Sequence, residues 1–169
     1  ILADGRELKG KALGMNGDTD SGLVQIVDPP DDLPVVEYDK SKKELPEVGQ
    51  WCVAVGNPGG LDKERGAVVR VGRVINSRSS TIRTDCMLLG GDSGGPLFDF
   101  DGIVIGIHSR ISSKPDSNMH VSMPAFQADW NALKDSKTLG KRSGGGGPRP
   151  ARTYLGVYTE DHEKGTLVL

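Results

Sequence analysis

The sequence predicts an all-β fold with one helix near its C-terminal end. Short apolar runs recur between residues 8 and 122, and turn-forming residues such as Asp101-Gly102 separate them. Short runs with alternating apolar and polar positions are typical of strands in barrels and sandwiches. Apolar residues repeat at helical spacing at Phe126, Trp130 and Leu133, so a helix is expected there.

The first part of the chain contains two strand patterns and a long polar connection. Polar turn residues at 17–20 give way abruptly to an apolar run that ends at Val27. Pro, Asp, Glu and Lys dominate the residues that follow, which is typical of an exposed connection. The expected elements are a turn at 3–7, a strand at 8–13, a turn and strand at 17–27, and a connection at 28–47.

The second part contains the denser set of strand patterns. Two apolar runs around Asp101-Gly102 predict a hairpin. Pro124 suits the first turn of a helix, because an N–H group is not needed there. We expect strands at 48–55, 66–77, 96–100, 103–107 and 118–122, with residues 80–85 leading into a glycine-rich loop. The apolar helix face is expected to pack against the core, and a partner site is the alternative.

Charge and cysteine content restrict the function. The formal net charge is −2 with both signs interspersed, so neither nucleic acid nor an anionic membrane surface is indicated as a partner. The chain has no apolar stretch long enough to cross a bilayer. Cys52 and Cys86 allow one disulfide at most, and we expect both to be free, buried thiols. Reactive cysteine chemistry is the alternative.

The segment Gly90–Pro96 combines a serine with glycines on both sides. A hydroxyl that attacks an amide carbonyl generates an oxyanion, and N–H groups aimed at that oxygen stabilise it strongly. Glycine permits the tight turn and the close approach of a substrate. We therefore predict Ser93 as a nucleophile, with the N–H groups of Gly91 and Ser93 as the oxyanion hole. A glycine-rich hairpin turn that happens to contain a serine is the alternative.

The Gly-Asp-Ser-Gly-Gly-Pro core of this segment resembles the active-site serine segment of trypsin-like serine proteases. Residues 19–24 resemble the motif that carries the triad aspartate in the HtrA/Deg branch, although the match departs at Ser21 and Gly22. The resemblance implies a chymotrypsin-like double β-barrel with an incomplete first barrel and Asp20 as the catalytic aspartate. The alternative is that Asp18 and Asp20 are ordinary turn residues.

The resemblance also implies a domain organisation. It gives a protease domain at 1–136 that lacks its N-terminal part, a Gly/Pro-rich linker at 137–152, and the start of a PDZ-like domain at 153–169. The peptide-carboxylate loop of that domain would contain Tyr154, Leu155, Gly156 and Val157 and bind C-terminal peptides. A trimeric or higher assembly, an exported or periplasmic location, polypeptide substrates and no cofactor or metal are implied as well.

The histidines do not fit the order of the triad. In these proteases the histidine precedes the aspartate and serine, yet His108, His120 and His162 all follow Ser93. We expect each to be a structural histidine and the general base to precede Ile1. The 169 residues alone are therefore expected to be inactive. A catalytically dead, polypeptide-binding module is the alternative.

Two expectations concern the surroundings of the serine. The resemblance implies a substrate pocket formed by Met87, Leu88, His120 and Val121, with Met87 at its floor. An apolar floor would leave a buried Arg or Lys charge unpaired, so small or medium aliphatic residues are the expected substrates. We also expect Asp92 to find hydrogen-bond donors within its own loop, so that no zymogen cleavage is needed.

Overall fold

The computed structural model describes residues 2, 4–36, 38–39, 41, 43–111 and 118–141, together with the backbone of a strand at 156–158. The described chain is mostly β with one helix, as predicted. In chain order the elements are β1 Gly10–Asn16, β2 Ser21–Ile26, β3 Trp51–Gly56, β4 Val68–Arg78, β5 Thr81–Thr84, β6 Pro96–Phe98, β7 Val104–Arg110, β8 Asn118–Ser122, α1 Met123–Lys134, β9 Thr138–Leu139 and β10 Gly156–Tyr158.

Six of these strands form a closed barrel in the order β3-β4-β5-β8-β7-β6. Their alternate residues face inward, as the pleat of a strand requires. The strands form antiparallel pairs around the barrel. The buried cluster at its centre contains Cys52, Ala54, Val74, Ile82, Cys86, Leu88, Leu97 and Ile105.

The remaining strands form a second, open sheet in the order β10-β2-β1-β9. Strands β1 and β2 are an antiparallel pair, whereas β9 and β10 add in parallel on opposite sides. A closed barrel beside a partial one is the chymotrypsin-like arrangement that the resemblance implied.

Helix α1 joins the two units. Ser122 caps it, because the Ser122 hydroxyl accepts a hydrogen bond from the Ala125 N–H at 3.3 Å. Phe126 and Leu133 are buried in a cluster with Leu23 of β2 and Val104 of β7, and Trp130 packs against this cluster. The apolar helix face is therefore core, as predicted.

The main differences from the sequence-based prediction concern β1, β5 and β9, and an end of each of β3, β4, β6 and β7 is shifted by two or three residues. Strand β1 lies two residues later than expected at its start, at Gly10 rather than Leu8. Strand β5 was not predicted, because Ile82 is its only large apolar residue. Strand β9 lies within the predicted linker: the Gly17 N–H donates to the Leu139 carbonyl at 2.9 Å, so residues 137–139 belong to the open sheet.

The contact between α1 and β1 gives a test of the fold. A Cβ atom on Gly14 would lie 2.6 Å from both the Leu133 Cα and the Lys137 carbonyl oxygen. Backbone atoms cannot move aside as a flexible side chain can, so Gly14→Ala should displace the end of the helix. We expect the free energy of unfolding to fall by about 1–3 kcal/mol, measured by urea unfolding.

Lys11→Ala is the matched control, since Lys11 is exposed on the same strand. It should change the free energy of unfolding by less than about 0.5 kcal/mol. Equal stability of the Gly14→Ala variant and the parent chain would contradict this packing.

Candidate functional site

The serine loop, residues 85–95, connects β5 to β6 and is fixed to β7 at its far end. The Gly94 N–H donates to the His108 carbonyl at 2.9 Å, and the His108 N–H donates to the Gly95 carbonyl at 2.7 Å. Within the loop, the Asp92 N–H donates to the Leu89 carbonyl at 3.1 Å and the Gly95 N–H to the Asp92 carbonyl at 3.0 Å. The loop is therefore a closed, hydrogen-bonded turn, and Ser93 lies half-buried within it.

The two predicted oxyanion-hole donors are unused in this turn. The Gly90 carbonyl accepts a hydrogen bond from the Gly59 N–H at 2.6 Å. Because the C=O and N–H groups of a trans peptide point in opposite directions, the Gly91 N–H points away from Gly59. Among the described residues, the N–H groups of Gly91 and Ser93 have no hydrogen-bond acceptor. Both remain available to an incoming oxygen.

Gly91 is a position where glycine is required. Its φ angle is +104°, and a Cβ atom there would lie 2.6 Å from the Asn57 carbonyl oxygen and the Gly60 nitrogen. The turn at residues 57–60 therefore packs directly against the serine loop. A side chain at position 91 would be strained and would also push the two turns apart.

Asp92 anchors the loop from inside the protein. Its side chain is 0% exposed and lies 3.2 Å from Nη2 of Arg70, a β4 side chain that is 15% exposed. The Leu89 N–H donates to Asp92 Oδ2 at 2.8 Å. The prediction of a donor within the loop is confirmed by Leu89, whereas Arg70 was not predicted. Arg70 belongs to a run at 67–75 in which basic residues alternate with apolar ones, and such a run is typical of a strand with one solvent-facing side.

Asp20 and Ser93 both contact the same residue, Ser109 of β7. Asp20 occupies the turn between β1 and β2 with a φ angle of +58°, which aspartate tolerates better than most residues. Its Oδ2 accepts a hydrogen bond from the Ser109 hydroxyl at 2.7 Å and lies 3.7 Å from Arg110 Nε. The Ser93 hydroxyl lies 3.5 Å from the Ser109 carbonyl oxygen. The structure thus brings the two predicted catalytic residues to one place.

The turn that carries Asp20 is held by side chains. Asn16 Oδ1 accepts a hydrogen bond from the Asp18 N–H at 2.9 Å, and Asn16 Nδ2 donates to Asp129 of α1 at 2.7 Å. Ser21, where the sequence departs from the HtrA/Deg motif, pairs with the Thr19 hydroxyl at 2.8 Å. The departure therefore supplies a contact within the turn.

His108 and His120 form a buried pair below the serine loop. Their Nδ1 atoms are 2.9 Å apart, His108 Nε2 lies 3.2 Å from the Val55 carbonyl oxygen, and His120 Nε2 lies 2.8 Å from the Thr84 hydroxyl. With both rings neutral, His108 donates to Val55, His120 donates to His108, and Thr84 donates to His120. All four ring nitrogens of these two histidines therefore have partners within this buried chain of hydrogen bonds. His162 lies outside the described residues.

Burial keeps this pair uncharged. Desolvation lowers the pKa of His108 from its usual 6.5 to about 4. The pKa of His120 is also well below its usual value, first because of burial and then because of repulsion from His108. Neither ring contacts the Ser93 hydroxyl or the Asp20 carboxylate.

The four predicted pocket residues are divided between surface and core. Met87 is 52% exposed, whereas Leu88, His120 and Val121 are each 3% exposed or less. β8, which carries His120 and Val121, is an interior strand of the barrel paired with both β5 and β7. A substrate side chain could therefore contact Met87 directly, and the other three side chains lie in the interior.

The described residues include only part of the PDZ-like motif. Tyr154 and Leu155 of the PDZ-like motif lie outside the described residues, while Gly156 and Val157 belong to β10. In the part of the chain that is described, the single helix is too short and too polar to span a membrane.

Known protein families and sequences that resemble this chain agree with this architecture. Residues 1–107 match the trypsin-like peptidase domain family. A protein from Marinomonas sp. (strain MWYL1), named as a DegP-like periplasmic serine endoprotease, is 37% identical over 95% of this chain and 33% of its own length. A protein of the same name from Hahella chejuensis is 38% identical over 96% of this chain and 33% of its own. The chain thus spans about a third of these relatives.

Solved structures show the same fold. The serine endoprotease from Yersinia pestis has a TM-score of 0.62 at 21% identity and covers 78% of this chain and 46% of its own. The HtrA-type protease AlgW with a decapeptide has a TM-score of 0.64 at 24% identity. The match covers 80% of this chain and 43% of the AlgW chain.

The buried histidine pair makes stability depend on pH. In the unfolded chain a histidine takes up a proton near pH 6.5, whereas His108 in the folded chain does so only near pH 4. Between these values the unfolded state binds more protons, so stability falls as the pH is lowered. We expect His108 alone to account for about 2 kcal/mol between pH 7 and pH 5, measured by urea unfolding.

A His108→Gln variant, which keeps a donor for Val55 but does not titrate, should show a smaller loss of stability over the same interval. A parent chain equally stable at pH 7 and pH 5 would contradict the neutral, buried pair.

Proposed function

Because the chain belongs to the trypsin-like peptidase domain family, and within it to the HtrA/DegP-like branch, we propose that it is the serine-bearing part of a serine endopeptidase. The observation that supports this proposal most is the pair of unused N–H groups at Gly91 and Ser93 in a hydrogen-bonded turn. Donors already held in position require no reorganisation when charge develops, so they stabilise a transition state efficiently.

The proposed reaction is acyl transfer. The Ser93 hydroxyl attacks a peptide carbonyl, and the resulting oxyanion accepts hydrogen bonds from the Gly91 and Ser93 N–H groups. A histidine base removes the hydroxyl proton and passes it to the leaving amine, and water then releases the acyl group from Ser93. Asp20 would orient that histidine and stabilise its charged form. The contact of both Asp20 and Ser93 with Ser109 supports these roles.

The histidine base is the missing part. His108 and His120 donate and accept within their own buried chain of hydrogen bonds, and no histidine precedes Asp20 in the sequence. We propose that the 169 residues alone do not hydrolyse peptides and become competent only when joined to a segment that supplies the base. The same observation favours the second candidate, a protease-like module that binds polypeptides without cleaving them.

The proposed cellular location and substrates are based on the related proteins. Those named above are called periplasmic serine endoproteases, so we propose an exported location and unfolded or damaged polypeptides as substrates. A PDZ-like domain beginning at residues 153–169, a linker that begins after β9, and a trimeric or higher assembly belong to the same proposal.

Labelling with a fluorophosphonate probe tests the proposed catalytic roles. The 169-residue chain is compared with the same chain extended upstream through the first encoded histidine. A general base contributes about 10²–10⁴-fold to such reactions, and triad members act as a unit. We expect the probe to label Ser93 rapidly in the extended chain. The labelling rate of the 169-residue chain should be lower by at least about 100-fold.

Ser93→Ala in the extended chain should abolish labelling, and Ser109→Ala should weaken it by disturbing Asp20 while leaving the nucleophile in place. Labelling of the short chain at the same rate as the extended chain would contradict the proposed role of an upstream base. Absence of labelling in both would favour the polypeptide-binding module.

A peptide-library profile of the extended chain tests the proposed specificity. Met87 offers an apolar, accessible surface before the serine, and a buried Arg or Lys charge would be left unpaired against it. We expect cleavage after small or medium aliphatic residues. Met87→Asp should raise cleavage after Arg and Lys, with Met87→Leu as the control that keeps the parent profile. A parent profile dominated by Arg and Lys would refute this specificity.

A further inference from the structure

The chain contains two cysteines, and they meet inside the barrel. The sulfur atoms of Cys52 and Cys86 are 3.8 Å apart, although the residues are separated by 34 positions along the chain. Their exposed fractions are 0% and 1%, and both are free thiols. Two thiols in direct contact have a chemistry that an isolated buried thiol lacks.

A glycine makes this contact possible. Cys52 of β3 lies opposite Gly72 of β4, and a Cβ atom on Gly72 would lie 2.7 Å from the Cys86 sulfur. Cys86 therefore occupies the space that a side chain at position 72 would fill. Asp85 holds it there, because the Arg73 N–H donates to the Asp85 carboxylate at 2.5 Å and the Asp85 N–H donates to the Arg73 carbonyl at 3.2 Å.

We propose that Cys52 and Cys86 are a redox pair that closes into a buried disulfide when the protein meets a disulfide oxidant. The structure holds the reduced form. The oxidant required is a small-molecule or protein disulfide, which an oxidising export compartment would supply. The supply of oxidant rests on the proposed exported location, whereas the chemistry of the two thiols does not depend on the proposed protease activity.

The reaction is two successive thiol–disulfide exchanges. Either sulfur can donate in this contact, and the Cys86 thiol can also donate to the Arg70 carbonyl at 3.9 Å. With Cys52 as the donor, the contact raises the pKa of Cys52 and lowers that of Cys86, so Cys86 attacks first. Its thiolate bonds to one sulfur of the oxidant and releases the other as a thiolate, which takes the Cys52 proton. Cys52 then attacks the Cys86 sulfur and displaces the second thiolate, which takes up the proton that Cys86 released to water. Two protein thiols are oxidised and one disulfide is reduced to two thiols.

The cross-link would act on the serine loop. Cys86 begins the segment that leads to Ser93, and the next anchors along it are the Leu88 N–H, which donates to Asn118 Oδ1 at 3.1 Å, and the buried Asp92 carboxylate. A covalent bond from Cys86 to β3 would fix the start of this segment to the barrel wall. Oxidation would therefore stiffen the loop, and reduction would loosen it.

Mass spectrometry of the 169-residue chain tests the proposal. The chain is equilibrated with oxidised and reduced glutathione in native buffer, quenched with acid, and treated with N-ethylmaleimide under denaturing conditions. We expect a product lighter by two hydrogens without maleimide, and a proteolytic peptide pair that contains Cys52 and Cys86. The same redox buffer with guanidinium should lower the ratio of disulfide to dithiol by roughly tenfold or more, since the native fold holds the sulfurs together.

Cys52→Ser and Cys86→Ser are the matched controls, and each should bind one maleimide. Oxidation should raise the thermal midpoint of the parent by roughly 5–15 °C and slow amide exchange at residues 87–92, and it should do neither in the two variants. Two maleimides on the parent after native oxidation, mixed disulfides with glutathione, or a disulfide that forms equally well in guanidinium would each overturn the proposal.

Discussion

The ion pair between Arg70 and Asp92 is the interaction on which the serine loop depends. A carboxylate that is 0% exposed is costly unless a cation and hydrogen-bond donors accompany it. Arg70 and the Leu89 N–H supply both at Asp92 Oδ2, whereas Asp92 Oδ1 and Arg70 Nη1 have no hydrogen-bond partner among the described residues. Asp92 lies between Gly91 and Ser93, so the ion pair determines the position of their N–H groups, which are the proposed oxyanion-hole donors. Arg70 belongs to a barrel strand, and the loop therefore takes its position from the most regular part of the protein.

The same arrangement explains why the site combines several loops. The serine loop is fixed by Arg70 on one side and by the backbone of His108 on the other, while Asp20 reaches it from the open sheet through Ser109. Because α1 packs against both units, it holds Asp20 and Ser93 at a common place. The neutral histidine pair lies below the loop, where burial would make a protonated ring unfavourable.

Local patterns in the sequence predicted the parts of the fold that depend on local physics. The Asp101-Gly102 hairpin, the apolar face of α1 and the glycines beside Ser93 were all found from spacing and residue type. Contacts between distant residues were not: Arg70 resembled a solvent-facing residue of an alternating strand, and Ser109 had no motif. Strand β9 contains only two residues, which is too few to show the alternation of apolar and polar residues that predicts a strand. Its pairing with β1 is visible only in three dimensions.

A double-mutant cycle on Arg70 and Asp92 tests the central claim most directly, with the free energy of unfolding as the measured quantity. Arg70→Met leaves a buried carboxylate without its cation, and should cost about 3–5 kcal/mol. Adding Asp92→Asn should recover part of that loss, which gives a coupling energy of about 1–3 kcal/mol. Strictly additive effects, with a coupling energy below about 0.5 kcal/mol, would show that the serine loop does not depend on this ion pair.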